Sequence, residues 1–167
     1  MYRFKQVMAA GLAFFALASA GAAQVIGGEV NINGSGDDIH FLGGELNIRG
    51  DIDGNIFAVA GDGRIDADVH GDVEFFGGDI DLSGVVDGSV EIAGGDVNIT
   101  ARIDGDLNAA GGDVNIAGET GGELNAAGGS VRIAVIVGGD LRAAGGEAVI
   151  ESGTVVSGDS RVVAGSV

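Results

Sequence analysis

The sequence contains no cysteine, no proline and no tryptophan, and Lys5 is its single lysine. The missing cysteines exclude disulfides, thiolate metal sites and a lipid-modified cysteine, so stability has to come from packing and backbone hydrogen bonds. The missing prolines fit a chain in which nearly every backbone N–H is wanted by a neighbouring strand. Basic residues are scarce: eight Lys and Arg stand against 25 Asp and Glu, for a net charge of −17. Arg3 and Lys5 fall near the N-terminus; the rest of the chain has only Arg49, Arg64, Arg102, Arg132, Arg142 and Arg161. So acidic a surface repels phosphate backbones, which excludes nucleic acid as a partner and makes cations the natural small ones.

Glycine is abundant instead, at 34 of 167 residues. Such content often accompanies linkers or disorder. A hydrophobic share of 46% argues against that here, so glycine and aliphatic residues must alternate in some regular way.

Residues 1–23 have the layout of a secretory signal peptide. A basic start (Arg3, Lys5) precedes the apolar run Val7–Ala18 and the small residues Ser19–Ala23. Ala18-Ser19-Ala20 and Gly21-Ala22-Ala23 both suit cleavage, and a cut before Gln24 is expected. The apolar run is short for a membrane span of about 20 residues. The expected product is residues 24–167, exported to the periplasm, the cell surface or the medium, with no spanning helix once the leader is removed.

Beyond the leader the chain repeats. Gly54, Gly71, Gly88, Gly105, Gly122 and Gly139 are spaced by 17, as are Gly44, Gly61, Gly78, Gly95, Gly112, Gly129 and Gly146. Counted from the first of these glycines, the coils place mostly aliphatic residues at positions 3 and 5, 10 and 12, and 16, with mostly small residues at position 14 completing the pair 14 and 16. Position 3, for example, holds Ile39, Ile56, Val73, Val90, Leu107, Leu124 and Leu141, and position 12 holds Ile48, Ile65, Leu82, Ile99, Ile116, Ile133 and Ile150. Spacing by two is the strand signature, and helix is further opposed by glycine at about 1 kcal/mol per residue. The reading is an all-β, single-stranded triangular parallel β-helix (a β-solenoid) of about eight coils. Each coil carries three short strands, and the coils stack into three sheets. One coil cannot bury its apolar side alone, so stacked neighbours make the core. A 16-residue coil precedes the regular ones, with Gly27–Ile32 matching Gly43–Ile48, and the last coil slips, since Gly158 follows Gly139 by 19.

Two columns are acidic. Position 9 holds Glu29, Glu45, Asp62, Asp79, Asp96, Asp113, Ser130 and Glu147, and position 2 holds Asp38, Asn55, Asp72, Ser89, Asp106, Glu123 and Asp140. Carboxylates stacked at coil spacing repel by roughly 1 kcal/mol in water. Either Ca²⁺ bridges them, with Asp62, Asp79, Asp96 and Asp113 as candidate ligands, or they are turn residues whose side chains bond the backbone; the second is the expected case. Position 11 (Asn31, Asn47, Arg64, Asp81, Asn98, Asn115 and Arg132) reads as an outward polar ladder whose amides bond along the stack. Position 6 (Leu42, Val59, Phe76) is either an exposed contact strip or tucked in by a bend. His40 and His70 stand 30 residues apart in different columns, which points to turn or solvated roles.

No Ser/His/Asp grouping, cysteine nucleophile or phosphate-cradling loop occurs in the sequence, and no insertion exceeds two residues, so a polysaccharide-cleaving cleft of the kind built on longer-coiled β-helices is not expected. The chain is read as non-enzymatic and without an obligatory cofactor.

Repeats such as Gly105–Gly118 (GDLNAAGGDVNIAG) resemble the bactofilins, or polymer-forming cytoskeletal proteins, over nearly all of residues 24–167. The resemblance implies a right-handed triangular β-helix that polymerises end to end without nucleotide. The leader is a departure, since bactofilins are typically cytoplasmic. The repeats are also similar to adhesin-like β-strand-repeat domains of exported bacterial proteins. The expected function is a self-associating structural protein of the bacterial envelope; the alternative is a secreted adhesin-like or Ca²⁺-stabilised binding module. Because the sequence stops part-way round a coil, the coil ends are the expected self-association surfaces, through Val25, Ile26, Val30 and Ile32 at one end and Val162 and Val163 at the other.

Overall fold

The computed structural model describes residues 22–35 and 37–166. The expected leader, residues 1–23, lies outside them except for Ala22 and Ala23, whose backbones pair with Asp38 and Ile39. Every described element is a strand: β1 (Ala22–Ser35), β2 (Asp38–Ile52), β3 (Ile56–Val69), β4 (Val73–Val86), β5 (Val90–Ala93), β6 (Asp96–Ile103), β7 (Leu107–Thr120), β8 (Leu124–Val137), β9 (Leu141–Ile150), β10 (Val155–Val156) and β11 (Ser160–Ser166). All pair in parallel, each coil on the next, in the order β1-β2-β3-β4-β5-β7-β8-β9-β11, with β6 between β4 and β7, and β10 on β8. The molecule is a parallel β-solenoid.

The expected three sheets are one. Backbone pairing continues round two of the bends in most coils, for example without a gap from Ile56↔Val73 through Ile65↔Leu82 to Val69↔Val86, apart from Gly61. The strand is broken at the corner from position 17 to position 2, and in one coil also at Gly94-Gly95. Even that corner is bonded. The N–H groups of Gly105, Gly122 and Gly139 each donate to the carbonyl of the glycine one coil before, at 3.1, 2.9 and 2.9 Å.

The inward columns are those read from the sequence. Ile39, Ile56, Val73, Val90, Leu107, Leu124 and Leu141 are all buried, as are Ile48, Ile65, Leu82, Ile99, Ile116 and Ile133. Position 6 points outward: Leu42 is 55% exposed and Val59 36%. At position 14 the larger residues Ala67, Ala101 and Val135 are buried, whereas Gly50, Gly84 and Gly118 adopt φ of +93°, +102° and +116°. Positive φ is therefore a property of this third column, where glycine escapes a Cβ clash. The glycines at position 1 meet a similar close approach without positive φ: a Cβ on Gly105 would lie 2.6 Å from the Gly88 carbonyl oxygen.

The slip in the last coil is a local turn. Ile133↔Ile150 keeps the 17-residue offset, but Ile136↔Val155 and Val137↔Val156 are offset by 19. Thr154, which simple counting puts in the inward column, instead donates its hydroxyl to the Ile133 carbonyl at 3.0 Å, and Val156 takes the place beside Val137. The two extra residues are absorbed in Glu151–Thr154, closed by Thr154 N–H donating to the Glu151 carbonyl at 3.2 Å, with Gly153 at φ +102°.

One glycine interrupts an inward column because a neighbour fills its space. Gly63 stands among Leu46, Ile80 and Val97, and a Cβ there would run into the ring of the buried Phe75. Gly63→Val should therefore destabilise by about 1–3 kcal/mol through overpacking, and Phe75→Ala by about 3–5 kcal/mol through its cavity. The double variant should recover part of both losses, as denaturant midpoints read through a double-mutant cycle will show. Thr120 is the other irregularity. It lies in the column between Ile103 and Val137, is 1% exposed, and its hydroxyl has no hydrogen-bond partner. Thr120→Val should stabilise the fold by about 1 kcal/mol, measured in the same way.

Candidate functional site

The fold directs about a third of each coil inward, which leaves the outward columns, the corners and the two end strands to carry chemistry. All six residues expected to mediate self-association lie on those end strands. The strand β1 pairs only with β2 and β11 only with β9, so among the described residues the outer edge of each has no partner. Ile26 is 65% and Val163 56% exposed, both outward at position 6, and Val162 is half-buried. Val30 and Ile32 are buried in the shared core, and the Val25 backbone pairs with Phe41.

The acidic columns divide. At position 2 the side chains form a staircase that supplies acceptors at the corner. Asp38 Oδ1 accepts from the Asn55 backbone N–H (2.7 Å), Asn55 Oδ1 from that of Asp72 (2.8 Å), Asp72 Oδ1 from Ser89 (2.8 Å), Ser89 Oγ from Asp106 (3.2 Å) and Asp106 Oδ1 from Glu123 (2.8 Å). These residues satisfy donors that no backbone carbonyl reaches, which is turn chemistry repeated along a stack. Among the described residues, position 9 shows no such bonds to the backbone. Asp62, Asp79, Asp96 and Asp113 are paired in register and exposed. A straight column at about 4.8 Å per coil puts its first and third carboxylates about 10 Å apart, too far to share one ion. At position 11, Asn115 donates its amide to Asn98 at 3.1 Å, as an outward amide ladder requires.

The one group of three ligand-bearing side chains found close together among the described residues is elsewhere. Asp51, Asp53 and His70 bring ligand atoms within 4.8 Å of one another. His70 occupies position 17, with Asp53 one coil before and Asp87 one coil after. Its Nδ1–H donates to Asp87 Oδ2 at 2.7 Å, and its Nε2 lies 3.1 Å from Asp51 Oδ1. Read along the sequence, His70 stands far from any other histidine. Stepping by 17 from it lands on Asp53 and Asp87, and that step is the signal by which the corner could have been found.

The face carrying positions 4 to 6 changes along the rod. Near the N-terminus it is apolar and aromatic, with ring centroids of His40 and Phe57 6.1 Å apart and those of Phe57 and Phe76 6.4 Å apart. Further on it becomes an open trough floored by Ala93, Ala110, Ala127 and Ala144, walled by Asn108 and Asn125. Asn125 donates its side-chain amide to Asn108 at 3.0 Å. Arg142 and Arg161 continue that wall, and Arg142 is bonded to Glu123 at 2.6 Å and Asp140 at 3.0 Å.

Comparison of the chain with protein-family models, with curated proteins and with solved structures gives no match.

The His70 corner has a measurable signature. The hydrogen bond to Asp87 is the largest cause raising the imidazole pKa above its ordinary 6.5, with the charges of Asp87 and Asp51 adding to it. A raised pKa in the folded state means that this contribution to stability is fully present below pH 6.5 and is lost as pH rises through the raised value. An NMR titration of the His70 ring should give a midpoint above 6.5, and Asp87→Asn should bring it down.

Proposed function

We propose that this chain is a non-enzymatic structural protein of the bacterial cell envelope that associates with itself end to end, as its resemblance to the polymer-forming bactofilins implies. The observation that carries the reading is the phase of the two end strands. Gln24, Val25 and Ile26 pair with His40, Phe41 and Leu42, and Arg161, Val162 and Val163 pair with Arg142, Ala143 and Ala144. Both triplets occupy positions 4, 5 and 6 of the coil. A second copy laid with its β1 on β11 in the same phase puts Val25 over Val162, Ile26 over Val163, Gln24 over Arg161 and Glu29 over Ser166. Apolar columns continue across the junction, and no like charges meet among these pairs. The unpaired N–H and C=O groups of an edge strand are a template for such addition. The leader-like residues 1–23 support the envelope as the location.

Sedimentation velocity and negative-stain microscopy of residues 24–167 test this. Concentration-dependent rods longer than one molecule are expected. Ile26→Lys and Val163→Lys place charge on the two edges without touching the core, and each should raise the concentration needed for assembly roughly tenfold or more. Leu42→Lys, in the same outward column of an interior coil, should leave assembly unchanged. A strictly monodisperse monomer at high concentration would refute the proposal. Loss of assembly in Leu42→Lys alone would move the contact from the ends to the side of the rod.

A further inference from the structure

We propose that Asp51, Asp53 and His70 form a binding site for a divalent late first-row transition ion of the Zn²⁺ type, with Asp87 as the residue that orients the histidine. The three ligand atoms already lie within 4.8 Å of one another. In a tetrahedral zinc site with bonds of about 2.0–2.1 Å, neighbouring ligand atoms are about 3.3 Å apart. The His70 Nε2 to Asp51 Oδ1 distance of 3.1 Å is close to that edge, so an ion would enter with small side-chain movements and leave a fourth position open to water.

The orientation of the imidazole is the independent feature. The 2.7 Å bond to Asp87 holds Nδ1 on the side of the following coil and leaves Nε2 3.1 Å from Asp51 Oδ1 of the preceding one, with Asp53 in the same group. A carboxylate behind a histidine in this way fixes its tautomer and raises its basicity as a ligand. The support beneath the site is rigid. The intervening side chains Ile52, Val69 and Val86 are buried in the core, and the backbone N–H groups of His70 and Asp87 donate to the Ile52 and Val69 carbonyls at 2.9 Å each. Three consecutive coils thus contribute the ligands and their orienting group from fixed backbone positions. One imidazole with two carboxylates suits zinc-like ions; Ca²⁺ and Mg²⁺ seek an all-oxygen shell. His40 has no place in this corner: its ring lies against Phe57 in another column.

Calorimetric titration of tag-free protein with ZnCl₂, followed in parallel by the NMR signals of the two histidine rings, tests the site. Saturable binding of one ion per chain is expected, with the His70 ring perturbed and the His40 ring unmoved. His70→Asn and the double variant Asp51→Asn/Asp53→Asn should each weaken binding about tenfold or more, and Asp87→Asn about 10–100-fold. His40→Asn should change nothing, and an equal concentration of CaCl₂ should not displace the isotherm. All substituted side chains are exposed, so the fold is retained and melting curves will confirm it. Absence of saturable binding, or binding that survives His70→Asn or the double aspartate variant, would overturn the site and leave His70 as an ion-pair partner of Asp51 and Asp87 only. Since the corner faces sideways in interior coils, this outcome is independent of whether the rods assemble.

Discussion

A coil of this protein can satisfy its backbone only by lying in register on the next one. Each strand hands its N–H and C=O groups to the coils before and after, and every regular offset is 17 residues. That parallel ladder dictates the rest. Any residue is repeated, one coil spacing along the rod, by the residue 17 further on, so a choice made once at an inward position is made for a whole column. Aliphatic columns then bury each other without any coil having a core of its own.

The same register explains what the corners require. Coils approach so closely at position 1 that a Cβ on Gly105 would meet the Gly88 carbonyl. Beside it, donors left over by the ladder are taken up by Asp, Asn and Ser side chains at position 2. Acidity in that column is thus a consequence of the turn. Where the offset changes, the cost is confined: two extra residues in the last coil bulge out over Glu151–Thr154, and the core column resumes with Val156.

Chemistry has only the outward positions in which to vary, and it does so in three places. The two end strands carry apolar residues at the same coil position, Ile26 and Val163, both exposed. The face of positions 4 to 6 passes from aromatic to alanine-floored. At one corner a histidine replaces the aspartates found at position 17 in the coils before and after, and three coils bring it against Asp51, Asp53 and Asp87. None of these needs an insertion; each uses the stack itself to gather residues distant in sequence.

The inward columns, the parallel β-helix, the short first coil and the presence of a slip near Gly158 were all legible in the sequence, because spacing by two and by 17 is a linear property of the chain. Five things required the tertiary structure. Pairing that continues round the bends, making one sheet of an expected three, depends on backbone direction at the turns. Which glycine columns combine close approach with positive φ depends on the backbone path of each bend over the coil before it. Gly63 looks like a defect in its column until the Phe75 ring is seen filling the space, and Thr154 looks inward until the bulge turns it aside. The corner at His70 depends on side-chain direction, because register places residues 17 apart side by side, while only the rotamers of a stacked corner decide which nitrogen meets which carboxylate. Sequence period set which residues become neighbours; three-dimensional packing decided what those neighbours do.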